Sequence, residues 1–420
     1  MDFNGTLANG VELYTHINPA LPDFCLRLLV RQGAAQEPRE HHGLAHFLEH
    51  ALFRAISERM GRQLYPTLTR LGLGFDAVIN PTCVRFTVTG PSAHFARGLE
   101  ILLGVMEPPF LSLEALNLER LRVQAEMRED DASDSADDFA YKQTWKGTPM
   151  ARDILGTKTA VNRIGLDTLA AEHARWFSPG NFCFCATGSA DMPLLRARLE
   201  ALEPLSGVPA PQDVPVPPAF FHRDAAVAVD DAGYTWLRFC VDVDTARQPP
   251  LALTLLTDAL RSDYGLIYRT LSEDTGLAYS YNDYFERCAN IGNFYFDFEI
   301  QRERLNEAVD AVVNMLNGLK TAPDDFWEGV KAGFVALERC REASAETFNY
   351  VWLFDNGRCR CGFQSPEERL AAYLAISPDA LRSLARAVFT PDNVLLCLRA
   401  RKRRVNVQDL HNRLMRLKAE

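Results

Sequence analysis

Apolar positions along the chain follow two alternating patterns. Short unbroken runs, such as Phe24 to Val30, FCFCATG at 182–188 and VLLCLRA at 394–400, have the length of strands. Longer stretches carry apolar residues at helical spacing: Ser112 to Asp131, GLDTLAAEHARW at 165–176, Pro323 to Arg341 and SPDALRSLARAV at 377–388. The Asp and Ser-Pro near the starts of the second and fourth stretches suit helix N-termini. No apolar run is long enough to cross a membrane as a helix.

The pattern occurs twice. Trp176-Phe-Ser-Pro-Gly-Asn181 precedes one strand-like run, and Val388-Phe-Thr-Pro-Asp-Asn393 precedes the other. Upstream, LGLGFDAVINPTCVRFTVTG in the first half answers TGLAYSYNDYFERCANIGNFYFDFEI in the second, each reading as glycine turn, strand, loop, strand. Between the halves, Glu203 to Phe220 holds six prolines, which block both helix and central strand. These features predict an α+β protein with two similar domains at 1–203 and 221–420, joined by a proline-rich linker at 204–220. Each domain is expected to be an antiparallel sheet with helices on one face.

Composition adds bounds. The 420 residues suit two domains, and 47% hydrophobic with 24% charged residues is ordinary for globular proteins. A net charge of −10 argues against a general nucleic-acid binder. The one basic run, Arg399 to Arg404, reads as a solvated edge or a partner-facing patch. The opening MDFNGTLANG lacks a basic n-region and an apolar h-region, and most of the ten cysteines sit in apolar runs. Reduced buried thiols and a cytoplasmic location are therefore expected. Cys359 and Cys361 form a C-x-C in a loop-like stretch, a weak signal for a second metal site.

Gly43 to Ala55 reads GLAHFLEHALFRA, of helical composition. His46 and His50, four apart, project from one helical face and can share a metal, with Glu49 placed to reach water beside it. The order H-x-x-E-H inverts the commoner H-E-x-x-H zinc motif. The same pattern also arises by chance, and two histidines on a helix can simply cap or pack. In LERLRVQAEMRED at 118–130, Glu119 and Glu126 lie seven apart on one face. Glu126 can complete a ligand set with Glu119 behind it, although both can equally be solvated acids.

The chain resembles the M16 family of inverzincin peptidases, which includes pitrilysin, insulin-degrading enzyme and the mitochondrial processing peptidase. The resemblance rests on GLAHFLEH, LERLRVQAEM, ILGT at 154–157, FSPGN at 177–181 and GLAY at 276–279, with 75 residues between His50 and Glu126 (126 − 50 − 1). It implies Zn2+ held by His46, His50 and Glu126, Glu49 as general base, and Glu119 as the family's supporting glutamate. It implies a peptide substrate paired along an edge strand at Phe75, Asp76 and Ala77, where the family usually has Asn-Ala in place of Asp76-Ala77. It also implies a half-clamshell fold like that of the M16 and LuxS metallohydrolases.

One departure stands out. The family completes its site with an Arg and a Tyr seven residues apart in a C-terminal domain. Tyr279 is present, but Ser272 stands where Arg is expected, and Arg269 is three residues out of register. A hydroxyl cannot replace a guanidinium fork. The resemblance therefore implies a heterodimer, in preference to a homodimer, with a second M16-like subunit supplying the Arg/Tyr pair. Such split pairs include those that trim a precursor peptide in pyrroloquinoline quinone (PQQ) biosynthesis. The alternative is a non-catalytic M16-like structural or peptide-presenting subunit. Such relatives have usually lost part of the zinc motif, which is intact here.

Overall fold

The computed structural model describes residues 2–131, 135–203, 221–262, 265–288, 290–352 and 365–417. The proline-rich stretch 204–220 lies outside these residues, as do Cys359 and Cys361. The chain divides into two compact units. One comprises Met1–Asp134, Arg152–Val214 and Cys340–Phe363; the other comprises Ser135–Ala151, Pro215–Arg339 and Gln364–Glu420.

The first unit is built on six strands: β1 (Asn4–Thr6), β2 (Glu12–Ile17), β3 (Asp23–Val30), β4 (Gly74–Ile79), β5 (Val84–Pro91) and β6 (Phe182–Gly188). Their order is β1-β2-β6-β3-β5-β4, antiparallel except for the parallel pair β2 and β6. β4 is an edge. Phe24, Leu26, Leu28 and Val30 of β3 enter one core beneath helices α1 (Leu44–Arg59), α2 (Leu64–Leu71) and α3 (Phe95–Leu103). α4 (Leu113–Asp131) packs against α1.

The second unit has five strands: β7 (Ala226–Asp231), β8 (Thr235–Val243), β9 (Asn282–Arg287), β10 (Gly292–Ile300) and β11 (Val394–Ala400). Their order is β7-β11-β8-β10-β9, with β7 and β11 parallel. Phe239, Phe296 and Phe298 stack on one face within a core that includes Leu253, Leu256 and Val312.

The duplicated α+β plan is present, and the structure adds helices on the second face of each sheet. β6 and β8 are buried at every position, so neither shows the alternation of a sheet with one wet face. In the first unit the cover is the Ala345–Trp352 helix, whose Phe348 and Trp352 pack on Leu29, Cys183 and Cys185. Asn349, fully buried, donates to the carbonyls of Cys25 (3.0 Å) and Cys185 (3.2 Å). In the second unit the cover is α5 (Ala136–Thr144), with Ala140 against Trp236, Cys240 and Cys397. Asp137 on the same helix pairs with Arg238. Each sheet is thus covered by a helix from the other half of the sequence. A duplication pattern cannot show this exchange, because it compares each half only with its counterpart.

Candidate active site

α1 begins at a left-handed glycine turn. Gly43 has φ +94°, a left-handed conformation that favours glycine. Its N–H and that of Ala45 donate to the buried Glu37 carboxylate at 2.8 and 2.6 Å. Glu37 therefore satisfies two of the free N–H groups at the helix start. Burial pushes its carboxyl up to about 8, against those backbone bonds.

From this start, helical spacing places His46, His50 and Arg54 on one face, towards α4. His46 Nε2 and His50 Nε2 each lie 3.5 Å from Glu126 Oε2. All three donor atoms fall within 4.8 Å of one another. The separations are too long for good hydrogen bonds. They match the edge of a tetrahedron, since bonds of about 2.1 Å put two zinc ligands about 3.4 Å apart. The donor set of two imidazoles and one carboxylate fits zinc, and three protein ligands leave one position open. Glu126 is half exposed, so the group is open to solvent at that residue.

The electrostatics agree with that fit. Burial, helped by the His50 charge, lowers His46 to about 4, which leaves its imidazole neutral as a metal ligand must be. Burial also depresses His50, but its contact with Glu119 and the charges of Glu49, Glu126 and Glu119 outweigh this and raise it. Glu49 sits one residue before His50. Burial pushes its carboxyl up to about 7, and the charges of Glu126 and Asp76 add to this against His50 and Arg122. A carboxyl near neutrality can both accept and return a proton.

Glu119 is 0% exposed. Its Oε2 lies 3.4 Å from His50 Nδ1 and accepts from Arg122 at 2.9 Å. Its Oε1 accepts from Arg54 Nε at 2.7 Å, with Arg54 Nη2 at 2.6 Å. Burial would raise the Glu119 carboxyl, yet His50 and the two guanidinium groups bring it below the ordinary value. Sequence reading did not single out Arg54 or Arg122. Continuing the four-residue series from His46 through His50 reaches Arg54, so a signal was present. Glu37 carried none.

The other predicted residues are placed as follows. Phe75 of the edge strand stacks on Phe53 of α1, rings 4.4 Å apart at 12°. Asp76 is exposed on that strand, close enough for its charge to act on Glu49, and Ala77 follows it, part-buried. Tyr279 belongs to the second unit and is 93% exposed in the loop before β9. Ser272 lies in a π-helical turn, Arg269–Asp274, that precedes this loop. Arg304 holds the turn through the carbonyls of Thr275 and Gly276, both at 2.8 Å.

Residues 18–158 match the model of the insulinase family, peptidase family M16, and residues 163–332 match that of the peptidase M16 inactive domain. The chain belongs to the M16 peptidase family. It is 22% identical to an uncharacterized zinc protease of Rickettsia felis over 200 residues, 47% of this chain and 48% of that protein. The match spans about half the length of the first two curated relatives. A protease from Helicobacter pylori has the same fold, with a TM-score of 0.78 at 17% identity over 95% of this chain and 99% of the other. The periplasmic protease PqqL from Escherichia coli superposes with a TM-score of 0.77 at 15% identity; the match covers all of this chain and 50% of PqqL.

Proposed function

We propose that this chain is a zinc-dependent peptidase that hydrolyses small peptides or a precursor peptide. The observation that carries the reading is the convergence of His46, His50 and Glu126 within 4.8 Å, with Glu49 beside them. His46 and His50 would hold zinc from α1 and Glu126 from α4. When bound, zinc would polarise the scissile carbonyl and make water more acidic. Glu49 takes the proton from the attacking water and returns it to the leaving amine. Glu119 orients His50 through Nδ1. The free edge of β4 pairs with the extended peptide backbone, which gives affinity without reading sequence.

The chain is proposed to act with a second M16-like subunit. Ser272 cannot supply the forked donor expected seven residues before Tyr279. The match to half of PqqL supports a two-chain arrangement. No disulfide joins the described cysteines, which suits a reducing compartment and a cytoplasmic location.

The test is metal content and peptide hydrolysis, measured with and without an M16-like partner that carries the Arg/Tyr pair. The expected result is one zinc per chain, lost in the His46→Ala and Glu126→Gln variants, with cleavage that requires both chains. A wild-type chain that binds no zinc would instead support the non-catalytic subunit. Full activity of the chain alone would remove the need for a partner.

A further inference from the structure

We propose that Arg54 is a positioning residue for the metal site, acting through Glu119 on His50. The inference rests on the zinc-peptidase reading above and adds a residue to it.

Glu119 has two oxygens with separate tasks. Oε2 faces His50 Nδ1 at 3.4 Å, while Oε1 is taken up by Arg54, with Nε at 2.7 Å and Nη2 at 2.6 Å. Two N–H groups of one guanidinium anchor Oε1 by charge-assisted bonds, which limits how far the carboxylate can tilt. The tilt decides where Oε2 points. With Oε2 accepting from His50 Nδ1–H, the other ring nitrogen carries the lone pair and faces Glu126 at 3.5 Å. An outer carboxylate of this kind sets the tautomer of a ligating histidine and raises its basicity.

Arg54 is suited to this task and Arg122 is less so. The Arg54 side chain is 23% exposed and grips a fully buried carboxylate. Arg122 reaches Oε2, the oxygen that serves His50, with a side chain 61% exposed. The long exposed stem of Arg122 is less fixed by its surroundings than that of Arg54. Without Arg54, Oε1 would lose both of its guanidinium donors, and Arg122 would be the one guanidinium left on Glu119 among the described residues, on the oxygen that faces His50. Arg54 also lies on the same face of α1 as His46 and His50, so one rigid helix sets all three positions.

The test measures zinc affinity by chelator competition, alongside peptide hydrolysis by the complete enzyme. Arg54→Met is expected to weaken zinc binding about 10- to 100-fold, the usual effect of losing an outer partner of a ligand. Arg54→Lys, which keeps the charge and one donor, should recover part of this. KM should change little, because Arg54 is engaged on Glu119, while Phe53 is the α1 residue that stacks on the edge strand. In a Glu119→Gln background Arg54→Met should cost no further affinity, which separates an effect through Glu119 from general damage to α1. Equal zinc affinity in wild type and Arg54→Met would overturn the proposal while leaving the zinc-peptidase reading standing. So would a full loss repeated in the Glu119→Gln background. A wild-type chain without zinc affinity would instead overturn the underlying reading.

Discussion

Gly156 lies so close to His42 that a Cβ at position 156 would stand 2.2 Å from the His42 carbonyl oxygen. The contact joins the ILGT turn to the residue before Gly43, where α1 starts. It is reciprocal, since a Cβ on Gly43 would stand 2.5 Å from the Leu155 carbonyl oxygen. Both glycines have positive φ, +77° and +94°. Gly156→Ala should therefore cost about 1–2 kcal/mol from the left-handed backbone alone, and the collision with backbone adds to it. A fall in Tm on the order of 5 °C is expected, with weakened zinc binding because His46 follows two residues into α1. An unchanged Tm would show that the turn yields without strain.

Asn349 tests the helix exchanged between the halves. Its amide donates to Cys25 O, Cys185 O and Thr187 Oγ1 at 3.0, 3.2 and 3.1 Å, and the residue is fully buried. Asn349→Ala removes these bonds and leaves acceptors without water. Denaturant unfolding should show a loss of about 2–3 kcal/mol, with zinc affinity unchanged because the residue lies on the far face of the sheet from α1.

His173 gives a pH dependence with a definite sign. Burial lowers its imidazole to about 4, against its bond to the Val105 carbonyl at 3.0 Å. The unfolded chain, near 6.5, therefore binds more protons than the folded one between about 4 and 6.5. Stability is complete above 6.5 and falls as pH falls through that window, by up to roughly 3 kcal/mol for this group. His173→Gln keeps a donor and does not titrate. Chemical denaturation at pH 7 and pH 5 should show a smaller loss in the variant than in the wild type; equal losses would exclude His173 as a contributor.

Much of this was legible in the sequence. The repeated Pro-Gly-Asn and Pro-Asp-Asn ends marked β6 and β11, and helical spacing marked α1 and α4. Spacing and type brought out His46, His50 and Glu126 as candidates, and their donor atoms do come together, because helices translate sequence distance into a shared face. The second covering helices were not legible, since they depend on contacts between segments far apart in the chain. The parallel pairs β2·β6 and β7·β11 escaped for the same reason. Glu37 was missed because a buried carboxylate capping a helix start looks, in sequence, like any loop glutamate.

Glu49 is the proposed general base. It is close to the metal group without belonging to it, and its carboxyl is held near 7. The deciding experiment compares zinc content and peptide hydrolysis of wild type and Glu49→Gln, each assayed with the proposed M16-like partner. The expected result is one zinc per chain in both proteins, with kcat lowered at least about 100-fold in the variant, the lower range for loss of a general base. Hydrolysis by Glu49→Gln at the wild-type rate would contradict it.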